Sequence, residues 1–465
     1  MSERKRLAII GGGPAGYVGA LRAVQLGAEV TLIEKKEVGG VCLNVGCIPT
    51  KTLTSIAHLF TLLKRTANWG IEAGSPNLNW TQVMRRKEQV VRRLVNGVKF
   101  LLKESKVTQL SGTASFLDEK TLLVNKTDGG TEKLEADLIL ICTGSVPIEL
   151  KIPGADLDGV VDSTGALCFE EIPKSLLIVG GGYIGCEFAS IFHSFGIEVI
   201  IVEMLPQILP GEDEEIASVL RRKWEKEGIK IYTDSKVSGI YSKDNQLKKV
   251  KISTPKGELE IESEKVLISV GRKAYTEGLN LSGIGVDQEK GNIKVDEFLK
   301  TNIEDIYSAG DCIGNYLLAH VASMEAEVAV ENALGGTVSM DYTVVPRCIF
   351  TYPEIGGVGL TEKEALARGH KIKIGRFPFI ANGRALAEDE TEGMVKIIAE
   401  EKSDKILGCI ILGNRGTDLI AELALGMKKG MKLRDLIETI HAHPTLSEGV
   451  RESALKAEGR PLHIL

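Results

Sequence analysis

The sequence lacks any cluster of basic side chains and any long apolar run. Its 57 Lys and Arg residues are fewer than its 63 Asp and Glu residues, and the formal net charge is −6. Binding a nucleic acid requires clustered cations, so this class of partner is not expected. No stretch approaches the ~20 consecutive apolar residues of a membrane-spanning helix. We therefore expect a cytoplasmic protein without a membrane span.

Histidine is scarce, with seven residues, and the eight cysteines are a moderate number for this length. The histidines show no metal-ligand spacing, so no metal site is predicted. A disulfide that persists in a reducing compartment is usually catalytic, and Cys42 and Cys47 are the candidates for such a pair. The other six cysteines lie in apolar or strand-like segments and are predicted to be buried. They are Cys142, Cys168, Cys186, Cys312, Cys348 and Cys409.

The chain begins with a pattern that is typical of dinucleotide binding. An apolar strand leads into Gly11-Gly12-Gly13-Pro14-Ala15-Gly16, and a helical stretch and a second strand then end at Glu34. The glycines permit a tight turn close to a pyrophosphate, the helix N-terminus attracts its charge, and the acid accepts from ribose hydroxyls. The predicted binding residues are Gly11, Gly13, Gly16 and Glu34.

The same pattern occurs a second time. Its first glycine lies at 11 and then at 180, and its acid lies at 34 and then at 203, an offset of 169 residues in both cases. Two sites imply two cofactors, although one copy could be a structural repeat that no longer binds. Both copies keep their glycines and their acid, which favours two working sites. The second set is Gly180, Gly182, Gly185 and Glu203.

The cysteines indicate which cofactor each site takes. Cys42 and Cys47 closely follow the first pattern, so that site should hold the cofactor that exchanges electrons with sulfur, which suits FAD. The second site then holds a nicotinamide. Glu203 favours NAD there, because a carboxylate binds the ribose 2′-hydroxyl and repels a 2′-phosphate. The residues that follow, Met204 and Leu205, supply no cation for NADP.

Other strand ends are weaker signals. One apolar strand runs into Thr143 and Gly144, another into Gly271, and a third ends at Asp311. Each can be a simple boundary between a strand and a loop. We nevertheless include all four residues among the predicted cofactor-binding positions.

The segment His441–Glu448 contains a candidate base. Pro444 disfavours helical geometry at His443, so the imidazole is expected on a turn before a helix. A disulfide site needs a base of near-neutral pKa, because the thiolate is the nucleophile. Glu448 can hold the ring and stabilise its cation. However, Thr445-x-x-Glu448 is also a capping box, in which Glu448 binds backbone amides. The residues alone leave both roles of Glu448 open.

Four motifs together resemble the pyridine nucleotide-disulfide oxidoreductases. They are the two glycine patterns, Gly-Gly-Val-Cys-Leu-Asn-Val-Gly-Cys-Ile-Pro-Thr-Lys from position 39, Ser-Ala-Gly-Asp ending at Asp311, and His-Ala-His-Pro-Thr-Leu-Ser-Glu ending at Glu448. The resemblance covers essentially the whole chain. It implies an enzyme that oxidises protein-bound dihydrolipoyl groups and passes the electrons through FAD to NAD+. The alternatives are a relative that reduces glutathione disulfide and, less favoured, a non-catalytic scaffold.

The resemblance also implies residue roles. Cys42 is expected to meet the substrate, Cys47 to lie beside the flavin, and His443, with Glu448 as its partner, to act on the disulfide of the other subunit of a homodimer. Lys51 is expected near the flavin. Three further residues receive roles: Glu187 pairs with Lys51, Asp311 binds the ribityl or phosphate part of FAD, and Tyr183 covers the nicotinamide pocket when NAD is absent.

The expected fold class is α/β, with two Rossmann-like dinucleotide-binding domains and a C-terminal α+β dimerisation domain. The expected boundaries are an FAD-binding domain at 1–149 and 276–345, an NAD-binding domain at 150–275 and a dimerisation domain at 346–465. The expected partner, besides a second copy, is a lipoyl domain on a separate acyltransferase or carrier protein.

Overall fold

The computed structural model describes residues 4–72, 74–243 and 247–465. Its first sheet has seven strands. In the order across the sheet given below, the first five strands pair in parallel, and each of the last two pairs antiparallel with the strand before it. Parallel strands covered on both faces are apolar throughout, and all four residues of Leu138–Ile141 are buried. The strand order is Ile306–Ser308, Leu138–Ile141, Arg6–Ile10, Glu29–Glu34, Thr108–Phe116, Thr121–Lys126 and Thr131–Glu135.

The second sheet repeats this parallel design between residues 160 and 268. Its order is Lys230–Tyr232, Glu198–Val202, Ser175–Val179, Lys265–Ile268 and Val160–Val161. An antiparallel sheet of three strands accompanies it, formed by Lys236–Ser242, Lys248–Thr254 and Gly257–Ser263. Two small pairs complete this part of the chain, Ser145–Pro147 with Arg272–Ala274 and Gln288–Glu289 with Asn292–Ile293.

The C-terminal part is an antiparallel sheet with helices packed on it. The strand order is Arg347–Ile349, Glu354–Gly359, Ile406–Gly413, Met394–Glu400 and Ile372–Pro378. The helices Gly416–Lys428, Leu433–Glu438 and Glu448–Ala457 bury their apolar faces in one cluster with this sheet. The α/β class, with its nucleotide-binding and dimerisation parts, is therefore confirmed.

The remaining helices connect or cover the sheets. The α-helices are Pro14–Gln25, Gly40–Val45, Cys47–Lys64, Trp80–Glu104, Ser163–Ala166, Tyr183–Ser194, Glu214–Glu227, Ala319–Ala333, Glu362–Ala367 and Gly383–Ala387. Short 3-10 turns occur at Thr66–Trp69, Ser282–Ile284, Asp311–Ile313 and Phe379–Ala381. Within the described ranges, no helix combines the length and the apolar character needed to span a bilayer.

The cysteine prediction was wrong at one position. Cys142, Cys186, Cys312 and Cys409 are buried and Cys348 is half-buried, but Cys168 is exposed. Its neighbours Leu167 and Phe169 both point into the core. Cys168 lies in the turn that follows the helix Ser163–Ala166, where its amide donates to the carbonyl of Gly165, and this turn leaves its side chain facing outward.

Candidate functional site

The first glycine loop, Gly11–Gly16, is shaped by close backbone contacts. Gly11 has φ +102°, and a Cβ there would lie 2.3 Å from the carbonyl oxygen of Cys142. A Cβ on Gly16 would lie 1.8 Å from the oxygen of Gly11. Only glycine fits at these two positions. Glu34, at the end of the next strand, accepts a hydrogen bond of 2.7 Å from the amide of Gly12 and so fixes the loop.

The second loop, Gly180–Gly185, has the same construction. Gly180 has φ +105°, and its Cβ would lie 2.5 Å from the oxygen of Ser269. A Cβ on Gly185 would lie 2.0 Å from the oxygen of Gly180. Glu203 accepts a 2.6 Å hydrogen bond from the amide of Gly181.

The middle glycines indicate that both loops take a ligand. Gly13 and Gly182 have φ of −69° and −74°, which any residue adopts. A Cβ on Gly13 would approach only Gly40, at 3.9 Å, and a Cβ on Gly182 would meet no atom within 4 Å. The chain itself does not require glycine at either position. Both glycines precede helices without a side-chain cap, so amides are available for a pyrophosphate. The two loops therefore fit dinucleotides.

The thiol pair lies beside the first loop. Cys42 belongs to the helix Gly40–Val45, and Cys47 begins the next helix. The Cys42 and Cys47 thiols interact directly. This interaction raises the pKa of Cys42, as does burial. The same interaction, aided by the charge of Lys51, lowers the pKa of Cys47 to about 7 although burial opposes it. Cys47 is thus the sulfur that this site stabilises as a thiolate.

Lys51 connects the thiols to the second nucleotide-binding unit. Its Nζ lies 2.6 Å from an oxygen of Glu187, which is nearly buried. Glu187 also accepts a 3.0 Å hydrogen bond from the amide of Phe350. The ammonium lies 4.4 Å from the centre of the Phe350 ring. The site thereby joins one residue from each of the three parts of the chain.

Asp311 lies in a polar cluster that the sequence prediction largely missed. Its carboxylate accepts a 2.5 Å hydrogen bond from Ser145, and Arg272 donates to the same hydroxyl at 2.8 Å. Burial raises the pKa of Asp311, while Ser145 and Arg272 oppose that change. Ser145 and Arg272 directly follow Gly144 and Gly271. Their position after predicted strand ends was the only signal that could have found them.

The other predicted residues at these strand ends have structural contacts. The hydroxyl of Thr143 donates a 2.5 Å hydrogen bond to the carbonyl of Tyr275. Gly144 and Gly271 have φ of +73° and +120°, which favours glycine.

In the second unit, Tyr183 begins the helix that follows Gly182, and its hydroxyl donates to the carboxylate of Glu212.

Glu448 contacts both the imidazole and a backbone amide. One carboxylate oxygen lies 2.9 Å from Nδ1 of His443, and the other accepts a 2.9 Å hydrogen bond from the amide of Thr445. Slight burial opposes ionisation of Glu448, but the Thr445 and His443 contacts lower its pKa. The capping box itself does not form, because the helix begins at Glu448, after Ser447, without a side-chain cap.

The His443 ring is 79% exposed. It lies at the edge of a cavity of about 360 Å³ whose lining includes Asn382, His441 and Glu452. Among the described residues, no hydrogen bond or ion pair joins His443 to Cys42 or Cys47. Within these residues of one chain, His443 and the thiols are therefore not bonded to each other.

Comparison with known proteins agrees with this geometry. Residues 5–326 match the family described as pyridine nucleotide-disulphide oxidoreductase, and residues 345–454 match its dimerisation domain. The chain belongs to this family. It is a flavoprotein disulfide oxidoreductase with FAD and NAD as cofactors, and its dimerisation domain supports a homodimer.

Three relatives that match nearly the whole chain are named dihydrolipoyl dehydrogenase. A dihydrolipoyl dehydrogenase of Bacillus subtilis (strain 168) is 42% identical over 98% of this chain and 99% of its own length. One from Staphylococcus aureus is 41% identical, covering 98% and 97%. The mitochondrial enzyme of Pisum sativum is 39% identical, covering 100% and 93%.

Solved structures share the whole fold. LpdA from Mycobacterium tuberculosis superimposes with a TM-score of 0.90 at 26% identity, covering 97% of this chain and 99% of that one. The Cu(II) complex of the HOCl-induced flavoprotein disulfide reductase RclA from Escherichia coli gives 0.88 at 30% identity, with the same coverage.

Proposed function

We propose that the protein is a dihydrolipoyl dehydrogenase, which oxidises protein-bound dihydrolipoyl groups to lipoyl groups and reduces NAD+. The thiol pair carries this proposal, because Cys42 and Cys47 lie beside one dinucleotide loop and Lys51 links them to the other. The relatives of that name match over nearly the full chain at 39–42% identity. The RclA structure is less similar in sequence, at 30%.

The thiols provide the first half-reaction. With Cys42 and Cys47 joined as a disulfide, a substrate thiolate attacks Cys42, and the bond to Cys47 breaks. Cys47 leaves as a thiolate, consistent with its pKa of about 7. The second substrate thiol then attacks the first, which closes the lipoyl ring and releases Cys42. The substrate loses two electrons and two protons, and the protein disulfide gains two electrons.

His443 moves the protons in this sequence. Its ring accepts a proton from the attacking substrate thiol, passes it to Cys42 when the lipoyl ring closes, and takes up the proton of the second substrate thiol. Glu448, 2.9 Å from Nδ1, orients the ring and stabilises its cation, which leaves Nε2 to face the substrate. Because His443 does not contact the thiols of its own chain, we assign it to the disulfide of the other subunit in the homodimer.

The two loops hold the cofactors. A bound FAD supplies the redox chemistry, since a flavin accepts electrons from thiolates and releases them to a nicotinamide. Lys51 stabilises the negative charge of Cys47. We assign FAD to Gly11, Gly13, Gly16, Glu34, Thr143, Gly144 and Asp311, with Lys51 near the flavin. We assign NAD to Gly180, Gly182, Tyr183, Gly185, Glu187, Glu203 and Gly271.

The biological setting follows from the substrate. The lipoyl groups belong to a separate acyltransferase or carrier protein of a 2-oxo acid dehydrogenase complex or the glycine cleavage system, and the enzyme acts in the cytoplasm. The proposed boundaries place the FAD-binding domain at 1–149 and 276–345, the NAD-binding domain at 150–275 and the dimerisation domain at 346–465. In support, strand Ile306–Ser308 returns to the first sheet.

The test compares electron acceptors and donors. Purified protein should be yellow and should reduce NAD+ with dihydrolipoamide much faster than it reduces NADP+. It should show little reduction of glutathione disulfide with NADPH. A colourless protein, or equal rates with NAD+ and NADP+, would contradict the proposal.

A further inference from the structure

A few glycines are not required by the fold itself. Most of the described glycines have a positive φ, or a Cβ built on them would approach another atom of the chain. Three have neither property: Gly97, Gly182 and Gly383. Gly182 lies in the second nucleotide loop, and Gly383 lines the cavity beside His443. Both of these places are assigned to a cofactor or to the reaction, which leaves Gly97 to be explained.

Gly97 lies well inside the helix Trp80–Glu104 and is exposed. Glycine destabilises a helix interior relative to alanine, because it loses more backbone freedom on folding. A Cβ at this position would meet no atom of the chain within 4 Å. Alanine would therefore fit and would favour the helix. The glycine weakens the helix without any gain within the chain itself.

This helix lies beside the segment that carries the first thiol. Its buried Val98, which directly follows the glycine, belongs to the same apolar cluster as Leu43, and Cys42 packs against that cluster. On another side of the helix, Nζ of Lys99 lies 2.8 Å from a carboxylate oxygen of Glu37. The exposed surface of the helix therefore borders the thiol segment.

Two exposed apolar side chains lie on the same face of the helix as Gly97. Leu94 precedes the glycine by three residues and Leu101 follows it by four, and residues at these spacings are neighbours on a helix surface. Their exposed fractions are 41% and 49%. The glycine leaves a gap between the two leucines, so a narrow aliphatic chain can lie there against the helix backbone.

The chemistry of the proposed substrate fits this gap. A lipoyl group is attached to its carrier protein through an aliphatic chain and the amide of a lysine, and its thiols must reach Cys42 while the carrier stays outside. FAD and NAD are assigned to the two glycine loops, so the lipoyl arm is the ligand that approaches Cys42 from solvent. An aliphatic arm gains free energy by covering exposed leucines.

We propose that Gly97, flanked by Leu94 and Leu101, is the position at which the aliphatic arm of the dihydrolipoyl substrate passes along the enzyme toward Cys42. The absent side chain lets the arm contact the helix backbone, and the leucines cover its sides. Gly97 thereby favours dithiols that are carried on a long, narrow chain. This inference rests on the proposed function, since it states where the substrate of that reaction binds.

The test adds bulk at Gly97 and compares two dithiols, of which only one has the arm. Dihydrolipoamide has it, whereas dithiothreitol does not. The second-order rate constant of flavin reduction by each dithiol is measured for the flavin-containing native protein, Gly97→Ala and Gly97→Leu. Dihydrolipoamide should react about ten-fold more slowly with Gly97→Ala, the loss expected for a methyl group forced into a close contact, and more slowly still with Gly97→Leu. The constant for dithiothreitol should stay within about two-fold in Gly97→Ala.

Steady-state kinetics and thermal unfolding separate binding from structure. Gly97→Ala should raise KM for dihydrolipoamide while kcat changes by less than about two-fold. Its midpoint of thermal unfolding should not fall, because alanine favours the helix. Asn96→Ala is the matched control, since this exposed neighbour lies about 100° away around the helix and the change also favours helix formation. It should leave both rate constants unchanged.

Equal dihydrolipoamide rates in the native protein and Gly97→Ala, or equal losses with the two dithiols, would overturn the inference. A lower thermal midpoint in Gly97→Ala would also overturn it, since the fold would then need the glycine. Dissociation of Gly97→Ala into single chains during sedimentation would do the same, because a second copy would then cover this face. If NADH reduces the flavin of the native protein but dihydrolipoamide does not, the proposed function fails instead.

Discussion

The two dinucleotide loops are nearly the same structure built twice. In each, the acid that ends the second strand uses one carboxylate oxygen for the second glycine amide and the other for an amide two residues onward. These bonds are 2.7 and 2.8 Å for Glu34 and 2.6 and 2.8 Å for Glu203. In each, a later segment crosses the loop and donates a 2.7 Å hydrogen bond to the second glycine, from Gly39 in the first case and Leu209 in the second.

The crossing segments then diverge. After Gly39 the chain enters the helix that carries Cys42, and after Leu209 it enters an acidic run that begins at Glu212. At equivalent positions in the loops, Pro14 stands in the first and Tyr183 in the second. The scaffold is shared, and the crossing segment differs: it carries the thiol pair at the first loop and the acidic run, which pairs with the dimerisation domain, at the second.

The largest effects should come from replacing the last glycine of one loop while leaving the other loop intact. Gly16→Ala places a Cβ 1.8 Å from a backbone oxygen, and Gly185→Ala places one 2.0 Å from another. We expect Gly16→Ala to lose the flavin and all activity. Gly185→Ala should keep the yellow colour but lose at least about 100-fold in NAD+ reduction. The visible spectrum measures flavin content, and a steady-state assay measures NAD+ reduction. Loss of the flavin in Gly185→Ala would contradict the assignment of FAD to the first loop alone.

Replacing His443 should slow the oxidation of dihydrolipoamide without weakening cofactor binding at either glycine loop. His443→Gln should lower dihydrolipoamide oxidation by ~10²–10⁴-fold, the usual contribution of a general base. NADH oxidation by an artificial dye should continue, because that reaction bypasses the thiol substrate. His441→Gln is the control, since His441 instead pairs with Glu422 at 3.0 Å. Equal losses in both variants would show a structural role for the turn.

The two acids should differ in selectivity although their contacts are alike. Glu203→Gln removes the charge that repels a 2′-phosphate and should lower the NAD+ to NADP+ ratio of kcat/KM about ten-fold. Glu34→Gln should weaken FAD retention and leave that ratio unchanged. Steady-state kinetics with both cofactors tests the pair. A change of the ratio in Glu34→Gln would reverse the assignment of the loops.

The smallest effect is a titration near the first loop. Because the pKa of Cys47 is lowered from its ordinary value to about 7, its thiolate should be present above pH 7 and lost as pH falls through that value. Thiolate absorbance of the reduced protein should show this step, and Cys47→Ser should remove it. Cys348→Ser should not, since burial raises the pKa of Cys348 to about 11. A first ionisation at the ordinary thiol pKa would contradict the assignment.

Much of the fold and the family could be predicted from sequence because the informative residues are local. The glycines, the terminal acids and the Cys42–Cys47 spacing each lie within a few dozen residues, and their order along the chain dictates the βαβ geometry. The first helix begins at Pro14, inside the glycine pattern, because proline suits the first helical turn.

The missed contacts join residues that are distant in the chain. Arg272 bonds Ser145 across 127 positions, and Arg347 bonds Glu212 across 135. No periodicity or motif specifies such pairs; they exist because parts of the chain that are distant in sequence pack together. The exposure of Cys168 was missed for a local reason, as its apolar neighbours suggested burial while the turn after a short helix left its side chain exposed.

The most direct measurement uses Cys42→Ser, which removes the thiol proposed to meet the substrate without touching either loop. The variant should retain its flavin and its NADH-dependent reduction of an artificial dye, while dihydrolipoamide turnover should fall to background. Loss of the flavin would show that Cys42 is a structural residue. Retained dihydrolipoamide turnover would show that electrons reach the first loop without the thiol pair, which contradicts the account.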